Sequence, residues 1–384
     1  MRSDRHKKKN HRLAKFLLKL LAFILFLAAC FVAALTVFEY SPEPSEIISI
    51  AGTSSAHPNA GETIKILSWN IGYGALGDNA SFFLDGGKDV ITSEEERVNA
   101  NLDAIASYLD SERADITLLQ EVDKSSKRSY GINESHYILE NTEGAYTATF
   151  AINYKVFYVP YPIPPLGKVN AGLLTTSVYD INFSRRASLP NPFSWPMRIV
   201  NLDRCLMIDR ISINGSNKDL VVINLHLEAY ADSEGNAEQI KAMMEVLEEE
   251  YAKGNYVIAG GDFNQTFSSV DLSKYPKQGK RNWEASIVDV TTFGSNWTAL
   301  MDSSVPSCRL LNKPYVDADK DTFQYYVIDG FIVSNNLKIE SLHTKQLNFV
   351  NSDHNPVILE VTIPFEEIVD EESGEDGDDE SSNG

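Results

Sequence analysis

Gly260-Gly261-Asp262-Phe263-Asn264 follows an apolar run, Tyr256 to Ala259, whose composition reads as a buried strand. The glycines stop that strand. A carboxylate and a carboxamide two residues apart then fall on the same side of an extended turn. Such a pair suits work on a phosphate, with Asp262 handling a water or a metal and Asn264 donating to a phosphoryl oxygen. Taken alone, the stretch equally describes an ordinary turn after a strand. Its meaning depends on what ends the other strands.

Read in order, the chain alternates strand and helix patterns. Ile64 to Trp69 is a strand ending at Asn70. Ser93-Glu94-Glu95-Glu96 has the pattern of a capping box, opening a helix with Val98, Leu102, Ile105 and Leu109 at helical spacing. Asp115 to Gln120 is the next strand and ends at Glu121; Leu220 to Leu225 ends at His226. Ala237 to Lys253 reads as a helix that Gly254 stops. Tyr325 to Val333 carries Asp329, and Ser352-Asp353-His354 precedes a last strand, Pro356 to Ile363. Asn70, Glu121, His226, Asp262, Asn264, Asp353 and His354 thus all lie at strand ends or in the loops beside them. Ligand sites of α/β sheets collect at one edge for the same reason.

The two ends of the chain belong to other regimes. Residues 1–19 hold eight Lys or Arg against one acid. The stretch 16–39 is apolar enough, and reaches the ~20 residues, for a bilayer-spanning helix. A signal peptide has a shorter apolar core, about 7–15 residues, so an uncleaved anchor is expected. The positive-inside bias puts the basic segment 1–15 in the cytoplasm and the domain outside the plasma membrane. The alternative is a lipid anchor at Cys30, since Leu27-Ala28-Ala29-Cys30 resembles a lipobox. Residues 40–62 read as a linker, 63–365 as one large α/β domain, and 366–384, with ten acids and no Lys or Arg, as an acidic disordered tail. Between the two ends, residues 20–365 carry a net charge of −17 against the chain's −20, a poor field for collecting polyanions. Besides Cys30 there are only Cys205 and Cys308, so at most one disulfide is open to the domain.

Six motifs, in order, are Ser68-Trp69-Asn70, Leu119-Gln120-Glu121-Val122, Asn224-Leu225-His226-Leu227, Gly261-Asp262-Phe263-Asn264, Ile328-Asp329-Gly330 and Ser352-Asp353-His354-Asn355-Pro356. As a set they closely resemble the endonuclease/exonuclease/phosphatase superfamily, in the form of a membrane-anchored bacterial-type member, and span essentially the whole domain. The resemblance implies a four-layered sandwich, two packed mixed β-sheets flanked by helices, and Mg²⁺-dependent cleavage of phosphate esters, with Mn²⁺ or Ca²⁺ as alternative ions. It implies Glu121, Asn70 and Asp353 on the metal side. It implies catalytic roles for His226, Asp262, Asn264, Asp329 and His354, with Asp329 orienting His354. Whether Asp262 or His354 takes the proton of the attacking water stays open at this level.

The substrate stays open too, between nucleic acid and phospholipid or another phosphoester, because one catalytic set serves all of them. Two aromatic, proline-rich inserts, Phe157 to Pro165 and Leu189 to Met197, suit a bilayer interface, stacking on a substrate, or plain packing as stiff loops. Arg186 and Arg204 beside them are candidate phosphate ligands. A monomer is expected. The rival reading is a non-catalytic surface protein that retains the fold; no motif residue is missing to favour it.

Overall fold

The continuous apolar strands of the sequence are explained by burial on both faces. In the computed structural model, which describes residues 2–144, 146–279 and 283–365, every residue from Leu220 to His226 and from Tyr256 to Asp262 is buried. Alternate side chains of each strand point to opposite faces. One set (Ile66, Leu118, Val222, Ile258, Phe331, Leu359) fills the space between two sheets. The other set packs outward: Val221, Ile223 and Val257 meet Met243 and Leu247 of a helix, while Leu67, Trp69 and Leu119 meet Ile105 and Leu109 of another on the opposite side. The result is four layers, helix, sheet, sheet, helix, as the motifs implied.

The strands of the two large sheets are β1 (Ser45–Ile47), β2 (Ala51–Gly52), β3 (Thr63–Asn70), β4 (Ile116–Asp123), β5 (Thr147–Val159), β6 (Gly167–Ser177) and β7 (Ile181–Ser188). After them come β8 (Cys205–Ser212), β9 (Asp219–His226), β10 (Tyr256–Asp262), β11 (Trp297–Leu300), β12 (Asp329–Ser334), β13 (Lys338–Thr344) and β14 (Val357–Thr362). One sheet has the order β1-β7-β8-β9-β10-β12-β11 and the other β13-β14-β3-β4-β6-β5-β2. Both are mixed, with parallel pairs at β9/β10 and β3/β4. Among the described residues four α-helices accompany them: α1 (Arg2–Val37), α2 (Glu95–Glu112), α3 (Glu134–Asn141) and α4 (Ser233–Ala252). Within α1, Asn10–Val37 is long and apolar enough to cross a membrane and is almost wholly exposed.

Several expectations need correction. Residues 40–62 are not a free linker: β1 pairs with β7 and β2 with β5, because the amides and carbonyls of those outer strands find partners in the incoming chain. The capping box does not form; the Ser93 hydroxyl donates instead to the Ala75 carbonyl, and α2 begins after Glu94 with no side-chain cap. Helix α4 starts at Ser233, earlier than expected, because the Asp232 carboxylate accepts from the Gly235 N–H and caps it. Tyr325 to Val333 splits into a two-residue strand, Tyr325–Tyr326, and β12. Cys205 and Cys308 are both buried free thiols. The acidic tail lies outside the described residues.

One buried acid stands apart from any site. Asp209 on β8 is fully buried and takes a hydrogen bond from Thr149. Burial lifts its carboxyl from 3.8 to about 6, despite the hydroxyls of Ser184, Thr149 and Thr175. Folding therefore favours the neutral acid, so its stabilising contribution is full below pH 4 and is lost as the pH rises through 6. Two pKa units correspond to about 3 kcal/mol. Asp209→Asn is expected to raise the thermal midpoint by about 5 °C at pH 8 and to leave it nearly unchanged at pH 4. Equal shifts at both pH values would contradict the assignment.

Candidate active site

Neighbouring strands deliver the polar residues in register. His226 lies opposite Asp262 across the parallel pair β9/β10, and Asp329 lies opposite Asp262 across the antiparallel pair β10/β12. In the other sheet Asn70 ends β3 beside Gln120, the residue before Glu121. The segment before β14 is fastened to that sheet, Ser352 Oγ donating to the Asn70 carbonyl at 2.7 Å and Trp69 Nε1 to the His354 carbonyl at 2.9 Å. Both sheets thus contribute to one edge.

Local backbone irregularities aim the side chains. The β4/β6 ladder slips between Leu119 and Val122, and Glu121 sits in the left-handed region with φ 54°. A bulge of this kind redirects a side chain that simple alternation would send elsewhere. Asn264 is likewise left-handed, with φ 53°. Such residues cost about 1–3 kcal/mol each and persist where the surroundings enforce them. The two glycines have a different reason. A Cβ on Gly261, whose φ is 152°, would lie 2.0 Å from the Leu225 carbonyl oxygen, and one on Gly260 would lie 2.4 Å from the Phe331 ring. Only glycine lets β10 close against its neighbours.

Asp262 is the hub. Its Oδ1 accepts from the Asn264 amide N–H at 2.8 Å. Around its Oδ2 stand Asn70 Nδ2 at 3.0 Å, His226 Nε2 at 3.4 Å and His354 Nε2 at 3.8 Å. Burial and the nearby Asp329 push the Asp262 carboxyl up to about 7. The two histidines are driven apart. Burial, helped by the charges of Arg204 and His354, holds His226 well below its ordinary value, and its Nδ1 has no partner among the described residues. Burial acts on His354 in the same direction but is outweighed by Asp329, whose Oδ2 lies 2.8 Å from His354 Nδ1, with Asp262 adding to it. The site therefore juxtaposes a neutral imidazole, an imidazolium and a carboxyl near neutrality.

Beside this hub lies a group of acids with few cations. Asn70 Nδ2 reaches Glu121 Oε1 at 3.2 Å while its Oδ1 accepts from the Gly72 N–H. Asn70 thus clamps Glu121 to Asp262, a holder of carboxylates with its own oxygen already engaged. Asp353 forms no ion pair among the described residues; burial, with Glu121 and Asp85 adding, lifts its carboxyl to about 7. Asp85 is also pushed up, chiefly by burial, although Leu311 N–H and Tyr230 Oη each donate to it at 3.2 Å. Hard carboxylate oxygens crowded with few counter-charges fit a divalent cation, which would relieve both burial and repulsion. Ligand atoms of Asp262, Asp329 and His354 also lie within 4.8 Å of one another, as do those of Cys308, Asp353 and His354.

The arginines divide. Arg204 is buried below the site, donating to Glu228 at 3.1 Å and to the His226 carbonyl at 3.4 Å. Arg186 is not brought to the cluster: its guanidinium donates to the carbonyls of Ile152 and Asp203 and to Ser188 Oγ, a structural tie between strands. Two groups escaped the sequence reading. Asp85 comes from a short turn with no motif around it. Arg309 is buried near Asp353, donates one N–H to the Gly77 carbonyl, and leaves Nε and Nη1 without a partner among the described residues. Its neighbours come from distant parts of the chain, so spacing gave no signal.

The family model described as the Endonuclease/Exonuclease/phosphatase family matches residues 67–354. Among solved structures, the chain is similar to an endonuclease/exonuclease/phosphatase from Beutenbergia cavernae DSM 12333, with 16% identity, a TM-score of 0.52, and coverage of 79% of this chain and 72% of that one. It is also similar to D. rerio TDP2 complexed with a single-strand DNA product (12% identity, TM-score 0.48, 78% and 99% covered). A third similar structure is an endonuclease/exonuclease/phosphatase from Bacteroides vulgatus (13% identity, TM-score 0.48, 79% and 99% covered). No curated protein matches the chain.

Proposed function

The chain belongs to the endonuclease/exonuclease/phosphatase family and is a phosphoester hydrolase; we propose that it is a membrane-anchored, Mg²⁺-dependent phosphodiesterase that uses water as nucleophile. The carrying observation is the convergence of Asn70, His226 and His354 on the single buried carboxylate of Asp262.

Glu121 and Asp353 would hold the cation, which when bound supplies positive charge for the phosphoryl oxygens. Asp262 is the general base, and its lift toward neutrality suits that task. His354 stays protonated against Asp329 and donates to a phosphoryl oxygen as negative charge develops. His226, neutral, orients the water or the leaving oxygen through Nε2. Asn264 Nδ2 donates to the Leu227 carbonyl at 2.9 Å, leaving its second N–H for the phosphate. Asn70 fixes the spacing between base and metal side.

The domain, residues 63–365 together with the edge strands β1 and β2 that precede them, is held outside the plasma membrane by Asn10–Val37 with the basic N-terminus in the cytoplasm. Its acidity favours a phosphodiester of low charge over a long polyanion. The full chain in detergent micelles, assayed with Mg²⁺ against bis(p-nitrophenyl) phosphate, phospholipid, RNA and duplex DNA, is expected to hydrolyse at least one of them and to stop when EDTA is added. Absence of Mg²⁺ binding by calorimetry, together with no hydrolysis of any ester, would favour the non-catalytic alternative.

A further inference from the structure

Both aromatic inserts leave the sandwich at the edge that carries the site. In one sheet Asp123, two residues past Glu121, pairs with Ala171, and the β5/β6 hairpin continues to the pair Val159 and Gly167. At about 3.3 Å per residue, those four residues of β6 carry the hairpin ~13 Å beyond the edge. In the other sheet Ser188 pairs with Cys205, and Leu206 with Leu225, the residue before His226. The loop 189–204 therefore springs from the same edge. The tips are strongly exposed, Ile163 at 94% and Tyr161 at 66% on the hairpin, Met197 at 58% and Trp195 at 54% on the loop.

The end of α1 packs against both tips. Phe31 meets Tyr158 edge-on at 6.1 Å between ring centroids, and Phe38 meets Phe157 at 5.6 Å. Trp195 Nε1 donates to Thr36 Oγ1 at 3.2 Å, Arg198 pairs with Glu39 at 2.9 Å, and Leu35 is buried.

Lengths decide what this contact means. The apolar run Leu20 to Phe38 is ~29 Å of helix at 1.5 Å per residue, just the ~30 Å of bilayer hydrocarbon. Tyr158 touches that run at Phe31, ~10 Å before its end. Counted from Phe16, where the apolar stretch begins, the part before the first contact is ~24 Å, still short of the hydrocarbon thickness, and does not cross by itself. A helix that crosses therefore draws the hairpin tip down to the membrane boundary. Tyr and Trp suit that depth, with ring in the apolar layer and polar tip in the wet one. Exposed Lys127 and Lys168 lie beside the hairpin base, Lys127 Nζ donating to the Pro165 carbonyl, and can face lipid phosphates from an otherwise acidic body. A short path joins this surface to the site: Tyr161 packs on Phe83 at 5.8 Å, and Phe83 opens the turn that carries Asp85.

We propose that the hairpin tip 157–165 and the loop 189–197 form a seat for the lipid bilayer interface, setting the catalytic edge at the level of the phospholipid headgroups. The proposal rests on reading Asn10–Val37 as a membrane span. The seat accounts together for the exposed aromatics, the two loops on one edge, and the packing of α1 between them.

The test uses the full chain reconstituted in phosphatidylcholine vesicles, with Ile163→Trp as reporter at the tip. Asn217→Trp, on the exposed β8/β9 turn at the opposite edge, is the control. Acyl-chain-brominated phosphatidylcholine is expected to quench the extra emission of Ile163→Trp by about twofold and to leave that of Asn217→Trp unchanged. Alkaline carbonate extraction tests the span separately. Protein released by alkali overturns the span and with it the seat. Protein that stays in the vesicles while Ile163→Trp is unquenched overturns the seat alone. Quenching that appears only when the protein is diluted in lipid assigns the tips to a second copy of the chain, and overturns it as well.

Discussion

Asp262→Asn is expected to lower kcat by about 10³-fold, within the 10²–10⁴ that a positioned proton acceptor contributes. The substitution keeps the shape of the hub. An Asn oxygen can still accept from the Asn264 amide, as Asp262 Oδ1 does at 2.8 Å, so the left-handed turn after β10 is retained. What is lost is the negative charge shared by His226, His354 and Asn70. His354→Ala should cost less than Asp262→Asn, because it removes a charge-stabilising donor and not the proton acceptor. A steady-state comparison of the two on bis(p-nitrophenyl) phosphate, with circular dichroism to confirm folding, decides between the two candidate bases. If His354→Ala proves the more damaging and Asp262→Asn stays near wild type, the assignment is reversed.

The second large effect concerns the acids beside the hub. Glu121→Gln preserves the clamp geometry, since Asn70 Nδ2 can donate to the amide oxygen as it does to Glu121 Oε1 at 3.2 Å. It removes the charge that helps hold the buried carboxyls of Asp353 and Asp85 in their raised state. The metal-free protein should therefore melt no lower than wild type. Its Mg²⁺ affinity should nevertheless fall by at least the ~10–100-fold that loss of an outer partner costs. Calorimetric Mg²⁺ titration and the Mg²⁺-induced rise in thermal midpoint both read this without relying on turnover. Unchanged Mg²⁺ affinity would remove Glu121 from the metal side.

Legibility followed the physics of each feature. Strands β9 and β10 were readable because burial on both faces demands continuous apolar runs, and their ends were readable because a polar residue interrupts each run. The short edge strands β1 and β2 were not, since their sequence carries turn formers and their strand character comes from partners 95 or more residues away. The capping pattern at Ser93 misled for a related reason: a distant carbonyl, that of Ala75, competed for the hydroxyl. Arg186 and Arg204 looked alike in sequence, and only the packed strands show one tying carbonyls together and the other lying beneath His226.

By itself the sequence determined the family, the four-layered fold it implies, and the kinds of residue that end the strands, because apolar periodicity and motif order are properties of the chain alone. Tertiary structure decided which of those residues meet. Asp262 became the hub through strand register, the two histidines took opposite protonation tendencies through burial and the placement of Asp329 and Arg204, and Asp85 and Arg309 entered the site through folding alone. The glycines before Asp262 were legible as a demand for close approach, and the fold shows that they meet the Leu225 backbone and the Phe331 ring. Contacts between residues far apart in the chain carry each of these outcomes, and no local pattern encodes such contacts.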